Sequence, residues 1–161
     1  EKVKLAEKDP SKALSLLNDV FCSLYRDLQV FFTGIIADLD LAAGSMTYSS
    51  AGHPVQYMIS GNDIIDIPKT GRAVGVLPDL NCRSVTVPFR RGDRLFLFTD
   101  GIFEEFNNHY EEYGEKRLRD FIDGNTSLPS EELVSSLIHH VMEFVDETIT
   151  DEICMIVINN T

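Results

Sequence analysis

The chain has 161 residues, 43% of them hydrophobic and 25% charged, and it carries a formal net charge of −12 at pH 7. That length suits one domain with a real core, and the acidic balance argues against a nucleic-acid partner because phosphate binding needs clustered Lys and Arg. The longest apolar runs are too short to cross a membrane, and residues 1–12 lack the apolar core of a signal peptide. We therefore expect a single cytoplasmic domain over residues 1–161, with no membrane partner.

The apolar pattern predicts helices and strands in an order typical of an α+β fold. Asp9 followed by Pro10 predicts a capped helix start, and apolar residues at helical spacing from Ala13 to Leu24 predict that one face of this helix is buried. In chain order, the predicted elements are a helix over 9–25, strands over 30–41, 46–60, 64–67, 82–89 and 95–98, helices over 114–123 and 130–147, and a strand over 153–159. Mostly antiparallel strands with helices packed on a sheet system are expected.

The cysteines exclude a disulfide scaffold. Cys22, Cys82 and Cys154 are odd in number, widely spaced and free of any C-x-x-C pair. This pattern predicts free, mostly buried thiols in a reducing compartment, and it argues against a zinc site.

Two aspartates stand at predicted strand ends. The apolar run Leu95–Phe98 stops at Thr99, Asp100 and Gly101, and Asp151 comes just before the last predicted strand. If these two strands pair antiparallel, both carboxylates meet at one sheet edge, where they repel unless a cation or a proton lies between them. Hard cations such as Mg²⁺ and Mn²⁺ favour such oxygen ligands. The alternative is an ordinary turn at Asp100 and Gly101, with Asp151 capping or solvating a strand end.

A set of ordered motifs favours the cation-binding alternative. They are "YSSAGHP", "GRAVGVLPD", "GDRLFLFTDGIFEEFN", "EYGEKRL", "EELV" and "TDEICMIVI". In this order and spacing they resemble the bacterial SpoIIE-like branch of the metal-dependent (PPM, or type 2C) serine/threonine phosphatases. The resemblance runs from about Ser11 to Ile158, nearly the whole chain.

This resemblance implies a fold and a chemistry. The fold is an antiparallel β-sandwich flanked by helices, with a dinuclear Mn²⁺ or Mg²⁺ site at one end of the complete domain. The reaction is hydrolysis of phosphoserine or phosphothreonine by a metal-activated water, without a phosphoenzyme intermediate. Asp100 and Asp151 match family metal ligands, whereas Glu152 and Cys154 depart from the family pattern around the last ligand.

The remaining family ligands have no counterpart in this sequence. A "GGD"-like and a "D-x-S-G-H-G"-like motif supply them in the family, and neither occurs here. We therefore expect an N-terminally truncated phosphatase domain that is enzymatic in its full-length parent. Two carboxylates alone bind Mg²⁺ weakly, so the isolated chain is expected to bind Mn²⁺ weakly and to be inactive. Its exposed sheet edge and apolar helix face are expected to make it self-associate as a homo-oligomer.

The resemblance also implies partners. The substrate would be a small phosphorylated regulatory protein, such as an anti-sigma-factor antagonist in a partner-switching pathway. An upstream sensor or receiver domain would lie in the same polypeptide. The alternative function is a non-catalytic regulatory or dimerisation module built on the same fold.

Three other polar residues are expected to be structural. His53, in "SAGHP", ends a strand before a proline, where a hydrogen-bonding role is commoner than a catalytic one. Glu104 and Glu105 follow the Thr99-Asp100-Gly101 segment and are expected to form a solvated acidic loop; the alternative is that they tune the site.

Overall fold

The structure, a computed structural model, describes residues 9–25, 28, 30–145, 149 and 151–161. In this part of the chain the elements are α1 (Pro10–Tyr25), β1 (Gly34–Asp40), β2 (Ser45–Ala51), β3 (Gln56–Ser60), β4 (Asp63–Ile67), β5 (Val85–Pro88), β6 (Arg94–Phe98), α2 (Gly114–Gly124), α3 (Ser130–Phe144) and β7 (Met155–Asn159). They form two compact units, Glu1–Val55 with Pro68–Arg91 and Gln56–Ile67 with Gly92–Thr161. That both units belong to one domain stays a prediction.

The first unit is a helix packed on a three-stranded antiparallel sheet. The strand order is β1-β2-β5, and the β1–β2 hairpin runs in register from Gly34 opposite Ala51 to Asp40 opposite Ser45. Helix α1 packs against β1 and β2. The core of this unit is built from Leu14, Ala51 and Val74, with the half-buried Phe21, Phe32, Ile36, Leu80 and Cys82 around them.

The second unit is a four-stranded antiparallel sheet with two helices. The strand order is β4-β3-β6-β7. Helices α2 and α3 pack on each other, and α3 also contacts β7. The buried helix residues recur at helical spacing; they are Leu118, Ile122, Leu133, Leu137 and Val141. Residues 146 and 147, the predicted end of the last helix, lie outside the described residues.

Asp9 caps helix α1 as predicted. Its Oδ1 accepts hydrogen bonds from the backbone N–H of Ser11 at 3.1 Å and from the hydroxyl of Ser84 at 2.6 Å. The first of these bonds satisfies an amide that has no partner within the helix. The hydrogen bonds from Ser84 and Ser11 lower the pKa of Asp9 from 3.8 to about 2.

This lowered pKa makes a pH dependence of folding testable. The folded state favours the ionised carboxylate, so its stabilisation is complete above the ordinary pKa of 3.8 and is lost as the pH falls towards about 2. After allowance for solvent screening, we expect a loss of about 1 kcal/mol in the free energy of unfolding across that window. Asp9→Asn keeps the acceptor oxygen but does not titrate, so it should lack this loss. Urea unfolding of both proteins between pH 5 and pH 2.5 measures the difference, and parallel curves would contradict the assignment.

The buried face predicted for α1 is confirmed only in part, since Leu14 and Phe21 pack in the core of the first unit. The structure buries Leu14 and Asn18, but Leu17, Val20 and Leu24 are 42%, 55% and 68% exposed. Asn18 is buried because it bridges two backbone groups: its Oδ1 accepts from the N–H of Gly75 at 2.8 Å, and its Nδ2 donates to the carbonyl of Leu77 at 3.1 Å. Helical periodicity thus identified part of the face that contacts the sheet, but it overestimated how many of the apolar residues on α1 are buried.

The strand predicted over 46–60 is two strands in two different sheets. β2 ends at Ala51, and β3 begins at Gln56. Between them Gly52 has a φ of 67°, and Pro54 has no N–H to donate to a sheet. A Cβ at Gly52 would lie 2.7 Å from the backbone nitrogen of Ala73, so the chain needs glycine at this break.

Two smaller predictions concern the cysteines and membrane-spanning segments. All three cysteines are free as predicted, but Cys154 is exposed and the other two are only half-buried, so the prediction of mostly buried thiols is wrong. In the described part of the chain, none of the helices combines the length and the apolar character needed to cross a membrane.

Candidate metal centre

Asp100 and Asp151 lie at the same end of one pair of antiparallel strands. β6 and β7 pair from Arg94 opposite Asn159 to Phe98 opposite Met155. Asp100 comes two residues after Phe98, the last paired residue of β6. Asp151 comes four residues before Met155, the residue of β7 that pairs with Phe98. The antiparallel pairing that the sequence analysis required is therefore confirmed, while the role of both aspartates as ligands stays a prediction.

Hydrogen bonds of Thr99 and Gln56 hold the end of β6 at and beyond its last residue pair with β7. The N–H of Thr99 donates to the carbonyl of Cys154 at 3.0 Å, and its Oγ1 accepts from the N–H of Cys154 at the same distance. The N–H of Phe98 donates to Oε1 of the buried Gln56 at 2.6 Å. Every one of these bonds fixes the backbone directly before Asp100.

Gly101 allows the two aspartate segments to approach each other. It lies in a 3-10 turn, Asp100–Ile102, that is anchored by the buried side chain of Ile102. A Cβ on Gly101 would lie 2.7 Å from the carbonyl oxygen of Glu152 and 3.4 Å from the Cβ of Asp151. Because Gly101 has no side chain, the backbone of Glu152 and the Cβ of Asp151 can lie against the turn that carries Asp100.

Glu105 is buried, so the prediction that it belongs to a solvated loop is wrong. Its side chain has 0% exposure, and its Oε1 accepts a hydrogen bond from the N–H of Asp151 at 2.8 Å. Fully buried glutamates are rare, and periodicity carries no signal for one. Glu104 is exposed, as predicted.

The carboxylates of this region act on one another. Desolvation first, and then the charges of Asp100, Glu112 and Asp151, raise the pKa of Glu104. A like charge can raise the pKa of a carboxyl group only from close by. A Cβ at Gly101 would lie 3.4 Å from the Cβ of Asp151, so Asp151 adds its charge to that of Asp100 at this end of the strand pair, where negative potential favours a bound cation.

The donor atoms fit a hard cation, but the described residues do not complete a site. Carboxylate oxygens are the ligands that Mg²⁺ and Mn²⁺ prefer. Among the residues that the structure describes, no group of three or more His, Cys, Asp or Glu side chains is arranged to hold a metal ion. Asp100 and Asp151 are thus suited to be part of a ligand set.

His53 is placed apart from these carboxylates in the sequence and has a hydrogen-bonding partner of its own. Its Nδ1 lies 3.1 Å from Oγ1 of Thr33, within the first unit. This contact joins the end of β2 to the start of β1, which supports the structural role expected for His53.

Known proteins resemble this chain in sequence, and one of them is named a phosphatase. The whole chain, residues 1–161, matches the family described as Stage II sporulation protein E (SpoIIE). It is 26% identical over 152 residues to phosphoserine phosphatase RsbU of Bacillus subtilis. The aligned region covers 92% of this chain and 44% of RsbU. The chain spans less than half the length of the curated relatives it matches, between 20% and 44%.

Solved structures share the fold at low identity. The SiaA-PP2C domain of Pseudomonas aeruginosa superposes with a TM-score of 0.80 at 20% identity, over 93% of this chain and 60% of that one. The Mn-presoaked phosphatase domain of SpoIIE from Bacillus subtilis gives a TM-score of 0.70 at 19% identity, over 99% and 73%. The predicted fold class, α+β with antiparallel sheets and helices as in PPM phosphatases, is confirmed. The chain belongs to the SpoIIE family, the branch of the PPM phosphatase domains that its motifs predicted.

Proposed function

We propose that this chain is part of a metal-dependent protein phosphatase domain that hydrolyses phosphoserine or phosphothreonine. The observation that carries the proposal is the position of Asp100 and Asp151 at one end of the β6–β7 pair, in a chain that belongs to the SpoIIE family throughout its length. Neither aspartate is in the core, since Asp100 is half-buried and Asp151 is exposed. Their carboxylates are therefore open to ligands from solvent.

In this proposal the two aspartates hold Mn²⁺ or Mg²⁺ together with ligands that the described residues do not supply. When bound, such ions lower the pKa of a water molecule and neutralise charge on phosphoryl oxygens. The strand pairing, the bonds of Thr99 and the close approach at Gly101 hold the two backbone segments that carry these carboxylates. Preorganisation of this kind is what a phosphoryl-transfer site needs.

We further propose that the substrate is a small phosphorylated regulatory protein of the partner-switching type. The relative RsbU is named a phosphoserine phosphatase. The chain itself carries a net charge of −12, which would repel a phosphoprotein. Bound cations reverse the sign of the local potential, so we expect substrate binding as well as turnover to depend on the metal.

Phosphate release in the presence and absence of metal tests the proposal. The protein in which this chain occurs should release phosphate from a phosphoserine peptide in the presence of Mn²⁺. EDTA should reduce the rate to background, and added Mn²⁺ should restore it. Release that is unaffected by chelation, or no release from phosphoserine and phosphothreonine peptides, would contradict the proposal.

The second candidate is a non-catalytic regulatory or dimerisation module on the same fold. It is favoured by the incomplete ligand set among the described residues. Calorimetric titration of the protein in which this chain occurs with Mn²⁺ separates the two candidates, because a phosphatase domain needs ions bound at its site and a non-catalytic module does not. The 161-residue chain alone is expected to bind Mn²⁺ weakly and to be inactive under either candidate.

A further inference from the structure

Glu105 is a buried carboxylate that contacts the backbone of a proposed ligand. It has 0% exposure, and its Oε1 lies 2.8 Å from the backbone nitrogen of Asp151. We propose that Glu105 is a positioning residue for Asp151: it holds the peptide of this ligand so that the carboxylate points towards the metal site. The inference rests on the proposed function, in which Asp151 binds the metal.

The backbone of Glu105 is itself held in place. Its carbonyl accepts a hydrogen bond from the N–H of Tyr113, and the carbonyl of Phe103 accepts one from the N–H of Gly114, both at 2.8 Å. Phe103 is buried and packs edge-on against Phe98 of β6. The side chain of Glu105 thus extends from a segment that is tied to the start of α2 and to the sheet.

Asp151 depends on contacts of this kind to fix its direction. Its Oδ1 accepts a hydrogen bond from the N–H of Glu152 at 2.7 Å, so the orientation of the carboxylate follows the orientation of the local backbone. On one side, the carbonyl of Glu152 accepts from the hydroxyl of Thr99 at 3.2 Å. On the other side, Glu105 accepts from the N–H of Asp151. The proposed ligand is thus held at its own backbone N–H and, one residue further along the chain, at the carbonyl of Glu152.

A solvated glutamate would not fulfil this role. A backbone N–H is a weak competitor for a carboxylate when water is present, whereas in a dry environment the bond is strong and its loss leaves a polar group unsatisfied. Residues that orient metal ligands through hydrogen bonds commonly change metal affinity when they are replaced. Burial is therefore the observation that separates Glu105 from its exposed neighbour Glu104.

Two substitutions at Glu105 test the inference in the protein in which this chain occurs. Glu105→Met fills a similar volume without an acceptor, and Glu105→Gln keeps an acceptor oxygen. In metal-free protein, we expect the amide hydrogen of Asp151 to exchange with solvent at least about tenfold faster in Glu105→Met, because its acceptor is lost. We expect the Kd for Mn²⁺ to rise about tenfold to a hundredfold in the same variant. Glu105→Gln should restore both quantities to near the wild-type values.

A matched control separates positioning from general loss of stability. Ile122→Val removes one buried methyl group from α2, so it should lower thermal stability and leave the Kd for Mn²⁺ unchanged. Wild-type amide exchange or wild-type Mn²⁺ affinity in Glu105→Met would overturn the inference, as would the same loss of affinity in Ile122→Val. If the wild-type protein itself binds no Mn²⁺, the proposed function fails. The exchange rate of the Asp151 amide then still decides whether Glu105 positions Asp151.

Discussion

Replacing Asp100 or Asp151 with Asn is expected to abolish Mn²⁺-dependent phosphate release while the fold is retained. Each change removes one negative charge from the proposed ligand set, which weakens metal binding and the activation of water together. We expect turnover to fall about a thousandfold, which corresponds to ~4 kcal/mol of transition-state stabilisation. Both side chains lie outside the core, and Asn at position 151 can keep the short bond from the N–H of Glu152.

The measurement is phosphate release from a phosphoserine peptide at saturating Mn²⁺, with circular dichroism to verify the fold. Asp123→Asn is the matched control, because it removes the same charge from an exposed position on α2. It should keep wild-type turnover. If Asp100→Asn retained near-wild-type turnover at saturating Mn²⁺, the assignment of Asp100 as a ligand would be wrong, and the same holds for Asp151.

The ends of β6 and β7 could be predicted because they are marked in the sequence, whereas the pairing of the two strands was assumed. Leu95–Phe98 is a continuous apolar run that stops at a turn signal, and the last strand begins after a polar segment. β6 and β7 have the same length, each has a polar residue at the end away from the aspartates, and they pair antiparallel. The relative placement of Asp100 and Asp151 followed from that single assumption.

The contacts that hold the two aspartates could not be predicted in the same way. Glu105 and Gln56 are buried polar residues, and a polar letter in a sequence indicates exposure unless its partner is known. Their partners are backbone N–H groups, those of Asp151 and Phe98. Every residue except proline has a backbone N–H, so the pattern of side chains does not show which amide will bond to a buried polar side chain. A hydrogen bond of this kind cannot be predicted before the fold is known.

The break between β2 and β3 is marked in the sequence by a glycine and a proline, and these residues are a stronger signal than the apolar pattern around them. Gly52 and Pro54 stand within three residues of each other, one with a positive φ and one without an N–H. Either residue weakens a continuous strand. The apolar residues on both sides belong to the cores of different sheets, and alternation alone does not distinguish one long strand from two short ones.

Gly101 is the position where the smallest change is expected to have the largest effect on the geometry of the site. In Gly101→Ala, the new Cβ would lie 2.7 Å from the carbonyl oxygen of Glu152 and 3.2 Å from its carbonyl carbon. Carbon–oxygen contacts in proteins lie at about 3.3–3.6 Å, so the Glu152 peptide must move by roughly 0.6 Å. Its movement is opposed by the bond from the hydroxyl of Thr99 and by the β-ladder bond between Thr99 and Cys154.

The displacement is expected to affect stability and activity together. Overpacking of a rigid segment costs about 1–3 kcal/mol in the free energy of unfolding. The Cβ of Asp151 is 3.4 Å from the new methyl group, so the proposed ligand moves with its neighbour. A misplacement of this size in a catalytic group is expected to reduce turnover by about tenfold to a hundredfold. Urea unfolding and phosphate release from a phosphoserine peptide measure the two effects.

Gly124→Ala is the matched control for this substitution. A Cβ at Gly124 meets no atom within 4 Å, and the residue is the last one of helix α2 and is not among the glycines with a positive φ, so Ala is compatible with its backbone. It should therefore be neutral or slightly stabilising and keep wild-type turnover. Gly101→Ala with unchanged stability and turnover would show that the segment of Asp151 and Glu152 can move away at no cost. The close approach at Gly101 would then have no part in holding Asp151 beside Asp100.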